Sequence, residues 1–217
     1  PINGAAVFSP FSDEPGPNIS SALGLGHRKV VKPDIFMPGG RELVRVAANG
    51  ADGISLRLVP PGRLYGLRCA TPDGGGDLSQ EGFSSGTSAA TALATRAAHR
   101  IFDALSDPDN GNLLEGVDPA FYGVIVKSML VHRARWGSIG GLLDQTWQPQ
   151  GQGSHVVRRD GIARLLGYGR PAVHEAMQCA ANRATMIGYG EIPAGEQAAL
   201  YRIPLPPSLE RVREPRA

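Results

Sequence analysis

The sequence predicts an α/β fold, and three observations lead to that prediction. Apolar residues recur every three or four positions from Ser88 to Leu105, as in an amphipathic helix. Prolines 119 and 171 each open a further helical pattern. Three short β-like runs lie between residues 43 and 70, separated by the turn sequences NGADG and PPG. With 217 residues, 41% of them hydrophobic, the chain is long enough for one main domain with appendages.

The first part of the chain is predicted to be β-rich. Residues 5–8 form one apolar run that is typical of a strand end. Residues 30–36 fit a short buried strand that is broken by prolines and closed by Gly39 and Gly40. The runs Leu43–Ala47, Ile54–Val59 and Leu64–Ala70 then predict an inserted segment of antiparallel strands.

Three helices are predicted after residue 87. The first buries a stripe made of Ala90, Leu93, Ala97, Ile101 and Leu105. The second starts with Asp118 as N-cap and runs to about Ala134, with a shared face of Phe121, Val124, Ile125, Ser128 and His132. The third follows Pro171 and aligns Val173, Met177 and Ala180. Residues 184–207 are predicted to form a β-hairpin, and the C-terminal tail lacks the periodicity of a packed element.

Composition excludes several classes of protein. The net charge of +2 comes from scattered arginines, without the basic stripe that nucleic acid needs. No run of eighteen apolar residues predicts a membrane span. Cys69 and Cys179 lie far apart and are expected to be two buried thiols. The chain starts at Pro1, so a segment upstream of it is expected in the parent protein.

Gly86-Thr87-Ser88 is suited to hold a nucleophilic serine at the start of a helix. Glycine permits a tight turn, and the helix start presents free N–H groups that favour a developing anion. Ser88 is therefore the candidate nucleophile, and its own backbone N–H is a candidate oxyanion donor. From spacing alone, a simple N-cap role for Thr87 or Ser88 is favoured over a nucleophile.

Four segments resemble the subtilisin-like serine peptidases. GTSAATALA is similar to their nucleophile box, and VVKPDIFMPGG resembles the stretch that precedes it. IVKSMLVHRARW and LGYGRPAVHEAM are similar to the helix after the nucleophile helix and to the Gly-Tyr-Gly segment with the final helix. Ala92 stands where the family commonly has proline, and Met37 where alanine is usual. The resemblance runs from about Lys32 to Met177.

The resemblance implies a fold and a domain division. Residues 1–181 would be the C-terminal half of a subtilase catalytic domain, with helices packed on a mainly parallel sheet and a β-hairpin insertion at about 41–82. Residues 182–217 would start a β-rich C-terminal extension. The implied activity needs no cofactor and no metal. The implied partners are a peptide or protein substrate and the upstream part of the same catalytic domain.

The family's other catalytic residues have no counterpart in this chain. The acid and base precede the serine in subtilases, but the only histidine before Ser88 is His27, which lacks the His-Gly-Thr context. No upstream aspartate lies in an Asp-(Ser/Thr)-Gly turn, and no asparagine follows the family's Ala-Gly pattern; the residues concerned are Asp13, Asp34, Asp52, Asp73, Asp77, Asn3 and Asn18. The later histidines are expected to be core or surface residues; they are His99, His132, His155 and His174.

The resemblance therefore implies a fragment of a serine endopeptidase that is inactive alone. The alternative is a non-catalytic, subtilase-like module that binds peptides or partner proteins. An unrelated serine hydrolase is disfavoured, because no Gly-x-Ser-x-Gly elbow is present. Residues 107–116 (DPDNGNLLEG) predict a helix-ending turn instead of a calcium loop, because Gly111 and Glu115 fall early for the EF-hand register. Residues 72–77 (PDGGGD) predict an acidic loop, with a weak cation site as its alternative.

Overall fold

The structure, a computed structural model, describes residues 7–9, 16–51, 53–60, 65–147, 151, 153–178, 185–190, 192–195, 198, 200 and 202. The chain divides into two compact units: residues 1–97 with 134–171, and residues 98–133 with 172–217. Five strands and five α-helices are described. The strands are β1 (Val7–Phe8), β2 (Val44–Gly50), β3 (Gly53–Leu58), β4 (Leu67–Ala70) and β5 (Glu81–Ser84). The helices are α1 (Thr87–Ser106), α2 (Tyr122–His132), α3 (Gly137–Thr146), α4 (Ser154–Leu166) and α5 (Val173–Met177). The fold is thus a mixture of α and β structure.

Two small antiparallel sheets account for the described strands. One has the order β1-β2-β3, with a bulge between Val46 and Ala48, and the other pairs β4 with β5. The prediction of at least two antiparallel strands between Leu43 and Ala70 is confirmed. The expected mainly parallel sheet is not confirmed, since every pairing among the described strands is antiparallel. Short turns join β2 to β3, and parallel strands need longer crossovers.

The proline-rich segment at residues 30–36 is not a strand. None of these residues belongs to a strand, and Val30 is 51% exposed. Prolines 33 and 38 remove two backbone donors, so a regular ladder is disfavoured here. The strand prediction for residues 30–36 was wrong because it rested on their apolar content alone.

Helix α1 confirms the strongest helix prediction. Ala97, Ile101 and Leu105 are buried at spacings of four, while Ala90 and Leu93 are half-buried. The predicted stripe is therefore correct in its position, and its C-terminal half is the better covered.

The second unit has a core of helical and loop residues. Ile101 and Leu105 of α1 pack with Ile125 and Met129 of α2 and with Ala176 of α5. No strand residue belongs to this cluster, so the expected packing of the Ser88 and Asp118 helices on a sheet is not confirmed in the described part of the chain.

Helix α2 begins as predicted but buries a different face. The Asp118 carboxylate accepts a hydrogen bond from the Ala120 N–H at 2.9 Å, and Pro119 opens a short 3₁₀ turn that leads into the helix. Ile125 and Met129 are buried, whereas Val124 is 66% exposed. The predicted face was rotated because it grouped Val124 with Ile125, and one residue turns the helix by about 100°.

Helices α3 and α4 pack together in the first unit around Ile139, Ile162 and Leu166. The sequence predicted neither α3 nor α4 as a helix. Two glycines in these helices are needed for packing. A Cβ on Gly140 would lie 2.3 Å from the Trp136 Cβ, and one on Gly161 would lie 2.1 Å from the Trp147 ring.

The predicted C-terminal hairpin is largely outside the described residues. Residues 185–190 and 192–195, which are described, contain no strand. Ala180 and Cys179 also lie outside, and the division at residue 181 stays a prediction. Within the described part of the chain, no helix has both the length and the apolarity to cross a bilayer.

Candidate active site

Ser88 lies in the first turn of α1, as predicted. It is the second residue of a helix that continues to Ser106. Gly86, which precedes the helix, has a φ of 126°, a value that L side chains rarely adopt. Its carbonyl accepts the Ala90 N–H at 3.4 Å and so begins the helical ladder. Glycine at this position thus allows the sharp entry that exposes Ser88.

The polar groups of Ser88 are available. Its side chain is exposed, and neither its hydroxyl nor its N–H has a hydrogen-bond partner among the described residues. Free N–H groups at a helix start carry partial positive charge and can stabilise an oxyanion. Thr87 is already helical, so neither hydroxyl occupies the position before the helix that an N-cap requires.

The residues that precede the helix are held by the segment Lys32–Gly40, which we call the KPD segment. The Gly86 N–H donates to the Gly39 carbonyl at 2.7 Å. A Cβ on Gly39 would lie 2.6 Å from the Gly86 oxygen and 3.5 Å from the Ala90 Cβ. Gly40, with a φ of 79°, approaches the Ser84 carbonyl in the same way. Two glycines therefore let the two backbones touch directly.

The other end of the KPD segment contacts the Gly-Tyr-Gly turn, residues 167–169. The Tyr168 N–H donates to the Asp34 carbonyl, and the Phe36 N–H donates to the Gly169 carbonyl, both at 3.0 Å. A Cβ on Gly167 would lie 2.0 Å from the Pro33 oxygen. The first glycine of the turn is thus required by close backbone approach.

Trp136 ties a further sequence segment to this turn. Its Nε1–H donates to the Gly167 carbonyl at 2.9 Å, and Arg135 exchanges two backbone hydrogen bonds with Arg170. Trp136 also packs against the core cluster of Ile139, Ile162 and Leu166, as does Phe36 of the KPD segment. Segments that are distant in sequence are therefore assembled around the KPD segment within the first unit.

A cavity of about 650 Å³ lies beside residues 86–88, which we call the serine turn. Gly86, Thr87 and Ala90 line one part of it, and residues 32–33 and 35–40 of the KPD segment line another. Ser88 is not among the lining residues. The size is within the range of small-molecule or side-chain pockets.

The structure supplies no activating partner for Ser88 among the described residues. All five histidines are exposed, including His27. The four later histidines, which were expected to lie in the core or on the surface, therefore lie on the surface. The Asp34 carboxylate forms an ion pair with Lys32. Asn18 lies in the described part of the chain, whereas Asp13, Asp52 and Asn3 lie outside it.

Two acidic segments fold as turns. The Asp107 carboxylate accepts from the Asp109 N–H and from the Asn110 side chain directly after α1, as the helix-ending interpretation predicted. The Asp73 carboxylate accepts from the N–H groups of Gly75 and Asp77. No group of three or more potential metal ligands occurs in the described part of the chain.

Asp77 has the one resolved shift in acidity among the described groups. The Ser79 backbone N–H, with help from the side chains of Ser79 and Gln80, holds the pKa of the Asp77 carboxyl below its usual range. Cys69, expected to be buried, is half-buried, with its Sγ 3.8 Å from the Gly82 carbonyl. Neither group contacts the serine turn through a described hydrogen bond.

Sequence reasoning missed the positioning roles of Gly39 and Trp136. Pro38-Gly39-Gly40 signalled only a turn, and Trp136 signalled only an apolar residue. For Gly39 the available clue was the glycine itself, since glycine marks close backbone approach, whereas no local signal pointed to the contact of Trp136 with Gly167.

Comparison of the chain with models of known protein families, with curated proteins and with solved structures finds no significant match.

Proposed function

We propose that Ser88 is the nucleophile of a subtilisin-like serine endopeptidase, and that this chain carries the nucleophile-bearing part of its catalytic domain. The observation that carries the proposal is the direct backbone contact between Gly39 and Gly86. It joins two sequence motifs that each resemble a motif of the same family, and it does so beside an exposed serine in the first turn of a helix.

The chemistry would be acyl transfer through a covalent intermediate. The Ser88 hydroxyl oxygen attacks the scissile carbonyl carbon, while a general base takes the hydroxyl proton and later gives it to the leaving amine. The Ser88 N–H donates to the oxyanion that forms. Water then attacks the acyl-serine, which releases the acid product and restores the hydroxyl.

The base and acid are proposed to come from a region of the parent protein that precedes Pro1. The motif order of the family supports this part, together with the lack of a partner for the Ser88 hydroxyl among the described residues. Loss of triad members lowers turnover by on the order of a million-fold, so the 217-residue chain alone should be nearly inactive.

A second candidate is a non-catalytic module that binds peptides. It is favoured by the cavity of about 650 Å³, which Thr87 and Ala90 line but Ser88 does not. In that case, the serine turn would form part of the wall of a peptide-binding cavity and would take no part in a reaction.

Labelling with a fluorophosphonate probe distinguishes the two. The probe is applied to the 217-residue chain and to a longer version that includes the upstream region of the same gene, each with Ser88→Ala as the negative control. Ser138→Ala is the matched control, because Ser138 is also exposed and is also the second residue of a helix, α3.

We expect labelling of the longer version only, lost in Ser88→Ala and retained in Ser138→Ala. Rapid labelling of the short chain at Ser88 would contradict the proposal that the activating groups lie upstream. If both versions are folded and neither is labelled, the non-catalytic module is the better interpretation.

A further inference from the structure

Strand β3 forms an open edge of the three-stranded sheet. Among the described residues it pairs only with β2. The Val59 N–H donates to the Leu43 carbonyl at 2.9 Å, so Leu43 and Val59 are a hydrogen-bonded pair. Hydrogen-bonded and non-hydrogen-bonded pairs alternate along an antiparallel ladder, so the N–H and C=O groups of Leu56 and Leu58 point away from β2. These groups are a template for one more strand.

One face of this edge is apolar and uncovered. Ile54, Leu56 and Leu58 alternate along β3 and so share a face, and they are 55%, 45% and 45% exposed. Leu56 and Leu58 pair with Val46 and Val44 of β2, which extend the apolar face inward. Soluble proteins usually protect such an edge with charges or prolines, and β3 has neither on this face.

The other face of the edge is positively charged. Arg45 and Arg57 are directly opposite each other across β2 and β3, and both are exposed. Neither forms an ion pair with a described residue. Like charges directly opposite in a ladder are destabilising, and a carboxylate placed beside them would relieve the repulsion.

We propose that the β3 edge binds an extended peptide segment of a partner protein, added as an antiparallel strand with the side-chain pattern apolar–acidic–apolar. The two apolar residues lie opposite Leu56 and Leu58 and cover the apolar face. The acidic residue between them lies beside Arg57 on the charged face. Up to four main-chain hydrogen bonds form with the outward groups of Leu56 and Leu58. This inference does not depend on the reactivity of Ser88.

A second copy of the chain fits this edge less well than an acidic segment. Two β3 edges that pair about a two-fold axis keep the same face on the same side of the extended sheet. The second copy would therefore add its own Arg45 and Arg57 to the charged face, where no described carboxylate forms an ion pair with either arginine. Charge complementarity thus favours the acidic partner.

Fluorescence anisotropy with short labelled peptides tests the proposal. The probe is a seven-residue peptide with a Val-Glu-Val centre flanked by threonine and glycine. One comparison peptide has Val-Lys-Val at its centre, and another carries N-methyl groups on both valines, which removes the donors to the Leu56 and Leu58 carbonyls. Arg57→Glu is the protein variant, and Arg96→Glu, an exposed arginine on α1, is the matched control.

We expect saturable binding of the Val-Glu-Val peptide and loss of binding on N-methylation. Arg57→Glu should weaken binding about tenfold, or about 1.4 kcal/mol, and should reverse the preference towards Val-Lys-Val. Arg96→Glu should leave the affinity unchanged.

Equal binding of the N-methylated peptide, or no effect of Arg57→Glu in a folded variant, would overturn the proposal. The proposal would also be overturned if none of the peptides bound, including the Val-Glu-Val peptide. Sedimentation of the chain without peptide provides an independent check. A concentration-dependent dimer that Leu56→Lys dissociates would assign the edge to a second copy of the chain.

Discussion

Replacement of Gly39 by alanine is the most direct test of how the serine turn is held. The added Cβ would lie 2.6 Å from the Gly86 oxygen, against an ordinary contact distance of at least 3.4 Å, so the two backbones must separate by about 0.8 Å. That displacement also stretches the 2.7 Å hydrogen bond from the Gly86 N–H to the Gly39 carbonyl. Overpacking of this kind destabilises by about 1–3 kcal/mol.

Urea unfolding followed by circular dichroism measures this loss, with Gly74→Ala as the control. A Cβ on Gly74 meets nothing within 4 Å, so its free energy of unfolding should stay within about 0.5 kcal/mol of the original. In a longer version that is labelled by the fluorophosphonate, Gly39→Ala should also slow labelling by roughly a hundredfold, because a shift near 1 Å is enough for such a loss. If Gly39→Ala were as stable as Gly74→Ala, the proposed close contact with Gly86 would be wrong.

Two further predictions concern stability. Ile101→Ala in α1 should lower the free energy of unfolding by about 2–5 kcal/mol, because Ile101 is fully buried, whereas Val124→Ala on the exposed face of α2 should change it by less than about 0.5 kcal/mol. A loss at Val124 as large as that expected at Ile101, measured by urea unfolding, would mean that the buried face of α2 is misassigned. Trp136→Phe should cost about 1–3 kcal/mol, because the Gly167 carbonyl loses its 2.9 Å donor, and an unchanged urea midpoint would refute that role.

The sequence predicted those elements whose local signals agree with their packing. Helix α1 has a continuous apolar stripe, and the 3₁₀ turn that leads into α2 has an N-cap aspartate and a first-turn proline, so the start of each helical segment was predicted correctly. The β2–β3 hairpin was visible because its turn residues separate two apolar runs. The first turn of α1, which carries Ser88, was predicted for the same reason.

Elements whose packing overrides local preference were missed. Helix α3 contains Gly137, Gly140 and Gly141, and each lowers helix propensity, yet Gly140 is the residue that admits the Trp136 side chain. Likewise, the contacts of the KPD segment with Gly86 and with the Gly-Tyr-Gly turn join residues that are far apart in the chain. No periodicity carries such information, whereas the motif resemblance grouped these segments without giving their distances.

The hydrogen bond between Gly39 and Gly86 joins the two residues that flank residues 40–85, so it holds the two ends of this segment together. A segment whose ends are clamped together can change in length while the residues outside the clamp keep their places, and each doubling of a flexible loop adds only about 0.6 kcal/mol to the entropy of closure. The number of residues between the two motifs is therefore nearly independent of the geometry at the serine. A loop or hairpin of different size placed within residues 41–82 should therefore leave the geometry at the serine unchanged, which makes this segment suitable for grafting a new binding element.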